Sequence, residues 1–463
     1  MPTRPLLYSA FVMNTASHIL HGLWRRPDAR QVEFNSLELW IDLVRELERG
    51  LFDVIFFADV HGLYGNFQGS YRKLVESGLQ IPSNDPAVIL SALASHTEHL
   101  GLAFTSSIVQ EHPFAFARKL STLDHASRGR VAWNIVTNGL ANGARNFGFD
   151  GLTPHDERYA WADEYMEVVY KLWEGSWDDG ALLQDRASGQ HGDFHRVHRI
   201  DHVGPRYRVE GPHLCAPSPQ RTPLLFQAGS SPRGMRFAAR HAEAVFLIAP
   251  FPEAARQAIA ATRALLPECG RAPGDLRFFQ GLSFVVGSTE EEARRRDREL
   301  DEAIDHEAMI AHLGGVMDVE FGACPLDMPL TELRTEGAQS LLDWVRAAVQ
   351  GREATVRDIG VLASRASRVT GTPEQIADSL ETWQAAGIDG INVINATIPG
   401  SYREFIEHVM PVLRKRGLAR TAYGSGTLRQ RLFGRDRLPA SHPAAHWRGA
   451  FTRRDRDGAA APA

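Results

Sequence analysis

Along the first 175 residues the spacing of hydrophobic positions switches repeatedly between two periods. LLYSAFVMN (6–14) and DVIFFAD (53–59) carry short, nearly continuous apolar runs of strand length. Between them, LELWIDLVRELERG (37–50) repeats its apolar residues at helical spacing and stops at Gly50. Together the three segments predict a βαβ unit. The alternation continues with a helix over 85–97, a strand over 100–108, a helix over 114–127, a strand over 129–137 and a long amphipathic helix over 157–175. It lapses over 176–221, where Asp, Gly, His and Arg dominate and an inserted loop with a hairpin is expected. Strands at 222–229, 244–249 and 278–287 follow, separated by helices at 231–242 and 253–266. Residues 288–365 predict a second, helical and charged insertion, before a capped helix (372–387), a strand (390–397) and a closing helix (402–417).

Strands starting near 6, 53, 100, 129, 222, 244, 278 and 390, nearly all separated by helices, predict an α/β fold of the (β/α)8 TIM-barrel type over 1–417, with insertions at about 176–221 and 288–365. A doubly wound open sheet is the rival. No G-x-G-x-x-G follows the first strand and no G-x-x-x-x-G-K-[ST] occurs, so neither common nucleotide fingerprint is present. Residues 418–463 carry nine Arg against three Asp without an apolar period, and are expected to form a flexible, solvated extension. Composition changes little: 463 residues, 43% hydrophobic, with 51 Lys plus Arg against 56 Asp plus Glu for a net charge of −5, describe a globular chain with no nucleic-acid or membrane partner expected. Three distant cysteines (Cys215, Cys269, Cys324) make no disulfide framework and match no zinc spacing, so a reducing, cytoplasmic setting is expected.

In such a barrel the active site lies at the C-terminal ends of the strands. Here those ends are polar: Asp59; Thr105-Ser106-Ser107; Asn134 with Thr137-Asn138; and Gly229-Ser230-Ser231. Each has a structural use, since Asp59, Ser230 or Ser231 would cap a helix and Asn138 would suit a turn. Together they suit a flat polar ligand across the barrel mouth. AGSSPRG (228–234) closes a strand and opens a helix, so its backbone N–H groups and two hydroxyls favour an anion, and Gly229→Ala is expected to weaken phosphate binding more than the fold. His155 and Tyr159, four residues apart at a helix start, point the same way toward a ligand or into a cap and core. No metal site is expected. His306 and His312 are six residues apart, not four, and His191, His195, His198 and His202 lack a helix to align them. The acid–base residue stays open among His18, His21, His61 and His112, and Trp24, Trp177 and Phe67 either line a pocket or pack the core.

FDVIFFADVHGLYG (52–65), EHPFAFARKLSTLDHASRGRVAWNIVTN (111–138), ARNFG (144–148), HDERYAWADEYMEVVYKLWEGSW (155–177) and LFQAGSSPRG (225–234) resemble the nitrilotriacetate and dibenzothiophene-sulfone monooxygenase group of the bacterial luciferase-like superfamily, over roughly residues 5–417. The resemblance implies a barrel that holds FMN, reduced FMN arriving from a separate NAD(P)H-dependent flavin reductase, and O2 as co-substrate, with a C4a-(hydro)peroxyflavin oxygenating a small organic substrate. It also implies a homodimer or homotetramer. It assigns Asp59, Thr105 or Ser106, Asn134, Thr137, His155 and Tyr159 to the flavin, and Ser230 with Ser231, beside Gly229, to its phosphate. Asn138-Gly139 after Thr137 and the TSSIVQEHP run (105–113) depart from the group's pattern where substrate would meet flavin. Two other readings of the same barrel remain open, a deazaflavin-dependent oxidoreductase and a non-catalytic flavin-binding protein.

Overall fold

A computed structural model describes residues 4–452, apart from 66, 318, 334–341, 343–344, 347 and 350. Eight parallel strands close into a barrel: β1 (Leu7–Met13), β2 (Val54–Ala58), β3 (Gly101–Ser107), β4 (Val131–Val136), β5 (Leu224–Gln227), β6 (Ala244–Leu247), β7 (Arg277–Val286) and β8 (Gly390–Ile394). Neighbours pair in chain order from β1 to β8, and β8 returns to β1 in the register Leu7↔Gly390 to Phe11↔Ile394. Because side chains alternate along a strand, Leu7, Phe11, Val54, Phe56, Ala103, Ala132, Leu224, Phe226, Phe246 and Phe279 fill the barrel, while Leu102, Phe104, Trp133, Leu225 and Phe278 pack beneath the helices. A short strand, Arg368–Gly371, extends the sheet beside the C-terminal half of β7.

The first insertion forms two small antiparallel hairpins, Leu182–Asp185 with Gln190–Gly192 and His202–Val203 with Arg208–Val209. The second is helical over Glu290–Ala303, His306–Met317 and Val356–Arg365. It has a core of its own, in which Ala308, Ile310, Phe321, Val356 and Ile359 pack against Tyr64, Phe67, Leu74 and Leu79 of the segment after β2. Helix His306–Met317 comes so close to that segment that a Cβ at Gly315 would lie 2.0 Å from the Tyr64 carbonyl oxygen. This core caps one side of the barrel mouth.

The C-terminal segment departs from expectation. Residues 418–452 pack on the N-terminal face of the barrel, and residues 453–463 lie outside the described residues. Helix Leu428–Phe433 closes the floor: Leu428 and Leu432 join the barrel-interior cluster, and Arg429 is fully buried against Glu243, at Nε–Oε1 2.7 Å. The arginines that read as a solvated basic tail meet acids at strand starts, Arg420 with Asp53 and Arg435 with Asp275. Among the described residues no helix is long and apolar enough to cross a membrane.

Candidate active site

At the opposite face the strands end in a polar mouth. Asp59, Val60, His61 and Tyr64 after β2, Ser107 of β3, Val136, Asn138, Gly139 and Leu140 around the end of β4, and Val316 of the second insertion line a cavity of about 230 Å3. The Val60 N–H donates to Asp59 Oδ1 at 2.9 Å, and His61 Nε2 faces Asp59 Oδ2 at 3.4 Å. Burial, with repulsion from the Asp85 carboxylate, pushes the Asp59 carboxyl up to about 7, and burial holds the His61 imidazole below its usual value.

Strand parity sorts the serines and threonines. Thr105 follows Ala103 to the barrel interior, where its hydroxyl accepts from Asn134 Nδ2 at 3.0 Å. Among the described residues, buried Asn134 Oδ1 meets no hydrogen-bond partner, nor does Gln227 Oε1 at the end of β5, nor, deeper in the barrel, do Ser9 Oγ and the Asn392 amide. Ser106 has the other parity, and its hydroxyl donates to Gln110 Oε1 at 2.8 Å rather than facing the barrel axis. Thr137 lies half-buried just beyond β4. Asn138 adopts a left-handed conformation (φ 60°) and its Oδ1 accepts from the Leu140 N–H, so its first use is to turn the chain. Its carbonyl accepts from Arg158 of the helix His155–Tyr170.

The anion-favouring turn is built as a unit. Ser231 caps the helix Pro232–His241 by accepting from the Gly234 N–H at 3.0 Å, and the same hydroxyl lies 3.1 Å from His155 Nε2. The His155 and Tyr159 rings meet edge to face at 5.1 Å, Arg233 stands 5.7 Å over the Tyr159 ring, and Ser230 is exposed beside them. A Cβ on Gly229 would lie 2.3 Å from Gln227 Nε2 and 2.7 Å from the Tyr159 hydroxyl. The glycine therefore serves the packing of the turn as well as any approaching ligand, which revises the reason first given for it.

The remaining histidines separate by place. His112 caps the helix Pro113–Ala126, and its ring meets Tyr207. Ser17 Oγ, His21 and His312 form a chain, with contacts of 2.8 Å to His21 Nδ1 and 2.9 Å from His21 Nε2 to His312 Nδ1, and the His312 ring packs on Tyr64 at 4.5 Å. Burial pushes His18 down to about 3 and His312 to about 4, so this group is neutral and ties the loop after β1 to the second insertion. His306 takes no part in that chain. His198 faces Asp178, His202 faces Lys171 and Glu164, and His191 and His195 are exposed; these four do not converge. Trp24 and Trp177 donate to backbone carbonyls, of Ser77 and His213, and Phe67 packs in the core of the second insertion. Reading strand ends alone missed Tyr64, Arg158, Gln227 and Val316. Only Gln227, the last residue of its strand, carried a local signal.

The sequence matches the luciferase-like monooxygenase family model over residues 13–390. It is 41% identical to the dimethyl-sulfide monooxygenase of Hyphomicrobium sulfonivorans over 96% of this chain and 94% of that one. To the long-chain alkane monooxygenase of Geobacillus thermodenitrificans it is 40% identical over 96% and 98%. A crystal structure of a riboflavin lyase with modified FMN and riboflavin superposes with a TM-score of 0.88 at 36% identity, covering 96% of this chain and all of that one. The dibenzothiophene-sulfone monooxygenase of Rhodococcus erythropolis and nitrilotriacetate monooxygenase component A of Aminobacter aminovorans are relatives too, at 37% and 32% identity. With its closed parallel barrel and polar mouth, the chain belongs to the luciferase-like family of flavin-dependent monooxygenases.

Proposed function

We propose that the protein is the oxygenase component of a two-component system, taking reduced FMN from a separate NAD(P)H-dependent flavin reductase and using O2 to oxygenate a small apolar organic molecule. The observation that carries this reading is the mouth itself. An anion-favouring helix start, buried acceptors without protein partners and an apolar-walled cavity belong to one end of one barrel.

The residues present fit FMN. Ser230, Ser231 and the first turn of helix Pro232–His241 would take the phosphate, with Arg233 adding positive charge and His155 steadying the Ser231 hydroxyl. Thr105 and Asn134, with the free Asn134 Oδ1, would meet the polar edge of the ring system. Bound reduced FMN supplies the electrons that activate O2. The chain's part is to hold the ligand still and keep water out: Tyr64 and Val316 overhang the cavity, and the His21–His312 contact pins the second insertion in that position.

Val60, Val136, Leu140 and Val316 make most of the cavity wall apolar, and Ile248 and Phe251 stand exposed beyond β6. Such walls suit sulfides, alkanes or compact aromatic molecules better than polycarboxylates. The separate reductase is supported by the missing dinucleotide fingerprint and by a relative named as component A of a monooxygenase. The deciding experiment supplies the purified protein with FMN, NADH and a flavin reductase and follows O2 uptake across a panel of small sulfides and alkanes. An oxygenated product from one of them is expected. Failure to bind FMN in either redox state, or activity only with a reduced deazaflavin, overturns the reading.

A further inference from the structure

Among the described residues, the acids at the barrel floor have a cation or several donors. Glu243 is paired with Arg429, Asp53 with Arg420 and Asp389 with Arg277, while Asp124 accepts from the Gln220 N–H and side chain. Among the described residues Asp59, with a side chain only 8% exposed, has neither. Its Oδ1 accepts one backbone N–H and its Oδ2 faces an imidazole nitrogen that is buried and has no hydrogen-bond partner. Desolvating a carboxylate without a cation is costly, so the fold gains nothing from this arrangement. Both groups line the cavity at the mouth of the barrel, where the strands end.

We infer that Asp59 is the proton-donating acid of this enzyme, and that His61, steadied by Gln110 and Ser106, is the positioning residue that holds its carboxylate and passes in the replacement proton. The inference rests on the proposed FMN chemistry. When reduced FMN enters as its anion, each turnover consumes one proton. Anion, O2, a substrate R–H and one proton give oxidised FMN, R–OH and water; without substrate, anion, O2 and one proton give oxidised FMN and hydrogen peroxide. In either case the Asp59 O–H bond breaks, a new O–H bond forms on the reduced oxygen, and the carboxylate left behind is held by the Val60 N–H and by His61. Solvent restores the proton through the His61 ring, whose side chain is 14% exposed.

Burial and the Asp85 charge keep Asp59 protonated up to about neutrality, while burial keeps His61 neutral, so the pair carries one proton between them. The other charged or titratable groups around it are Tyr64 on the same loop, His312 behind Tyr64, and Arg158, which holds the Asn138 carbonyl at the cavity wall. Gln110, bonded to Ser106, reaches His61 and favours its charged form. That contact would draw the proton toward the ring whenever Asp59 gives its own away.

Two measurements test the assignment. In ligand-free protein labelled with 13C at aspartate carboxyls, the signal that disappears in Asp59→Asn should titrate near neutral pH, and its midpoint should move in His61→Asn. In protein loaded anaerobically with reduced FMN and mixed with aerated buffer, peroxide release should fall as pH rises through neutrality. In Asp59→Asn saturated with reduced FMN it should slow at least tenfold and lose that pH dependence; Gln110→Leu should give an intermediate rate. A wild-type pH profile in Asp59→Asn that still binds FMN, or an Asp59 carboxyl that titrates like an exposed aspartate, overturns the proposal. If the wild type binds no FMN, the two-component reading fails instead, and the carboxyl titration with its response to His61→Asn still decides whether this pair holds the proton.

Discussion

The two ends of the barrel handle buried acids in opposite ways. At the floor, Arg429 and Glu243 are both fully buried and doubly bonded, and Arg429 also donates to the Thr222 carbonyl at 2.8 Å. Arg277 bridges Asp389 and the Leu432 carbonyl in the same manner. At the mouth, Asp59 and His61 face each other without a cation, and Asn134 and Gln227 keep acceptors unused. The floor pairs its buried acids with arginines of the same chain, although Arg277, Arg431 and Arg435 keep buried N–H groups without partners; at the mouth it is an acid and two amide oxygens that go without. In barrel enzymes the ligand site lies at the C-terminal strand ends, which is the face where this acid is left without a cation.

The largest expected break in this contrast is at the floor. Removing one partner of the buried pair, in Glu243→Ala, should cost about 3–5 kcal/mol in urea unfolding, because Arg429 is left charged and buried with backbone carbonyls but no carboxylate. FMN affinity of the folded fraction should be unchanged. Leu428→Ala, which empties part of the barrel floor, should cost about 3 kcal/mol.

At the mouth the sign reverses. The Asp59 carboxyl keeps its proton in the folded protein to about pH 7 but loses it near 3.8 when unfolded, so wild-type stability declines as pH rises through that window. Asp59→Asn escapes the decline. It should be more stable than wild type by about 2 kcal/mol at pH 8 and equal to it near pH 3.5, read from unfolding curves at the two pH values. Ser231→Ala should cost only about 1 kcal/mol as a lost helix cap yet weaken FMN binding roughly tenfold in a fluorescence titration, with riboflavin affinity little changed. The smallest structural effect belongs to Val316→Ala. Because that side chain is 59% exposed, its loss should change stability by under about 0.5 kcal/mol while altering KM for apolar substrates.

The barrel was legible because eight βα alternations leave little freedom once the two insertions are set aside. The C-terminal segment was not. Leu428, Leu432 and Phe433 are too few to show a period, and the acids that neutralise its arginines begin strands more than 100 residues away. Within the site, Asp59, Thr105, Asn134 and Ser231 lie where strand-end logic expects a ligand. Ser106 shows its limit, since the residue that faces the axis depends on strand parity, and parity follows from Ala103 and Ala132 pairing inside the barrel. The histidines could not be ranked from sequence because their meanings lie in remote partners: His21 meets His312 across 291 residues, whereas His61 keeps a free nitrogen beside Asp59.

The most direct test of the division between floor and mouth is anaerobic titration of the protein with reduced FMN and, in parallel, with reduced riboflavin. If the Ser230–Ser231 turn takes the phosphate and the strand ends take the ring, FMN should bind at micromolar concentration or below and at least tenfold more tightly than riboflavin. Equal affinity for the two, or no binding of either, would contradict the account.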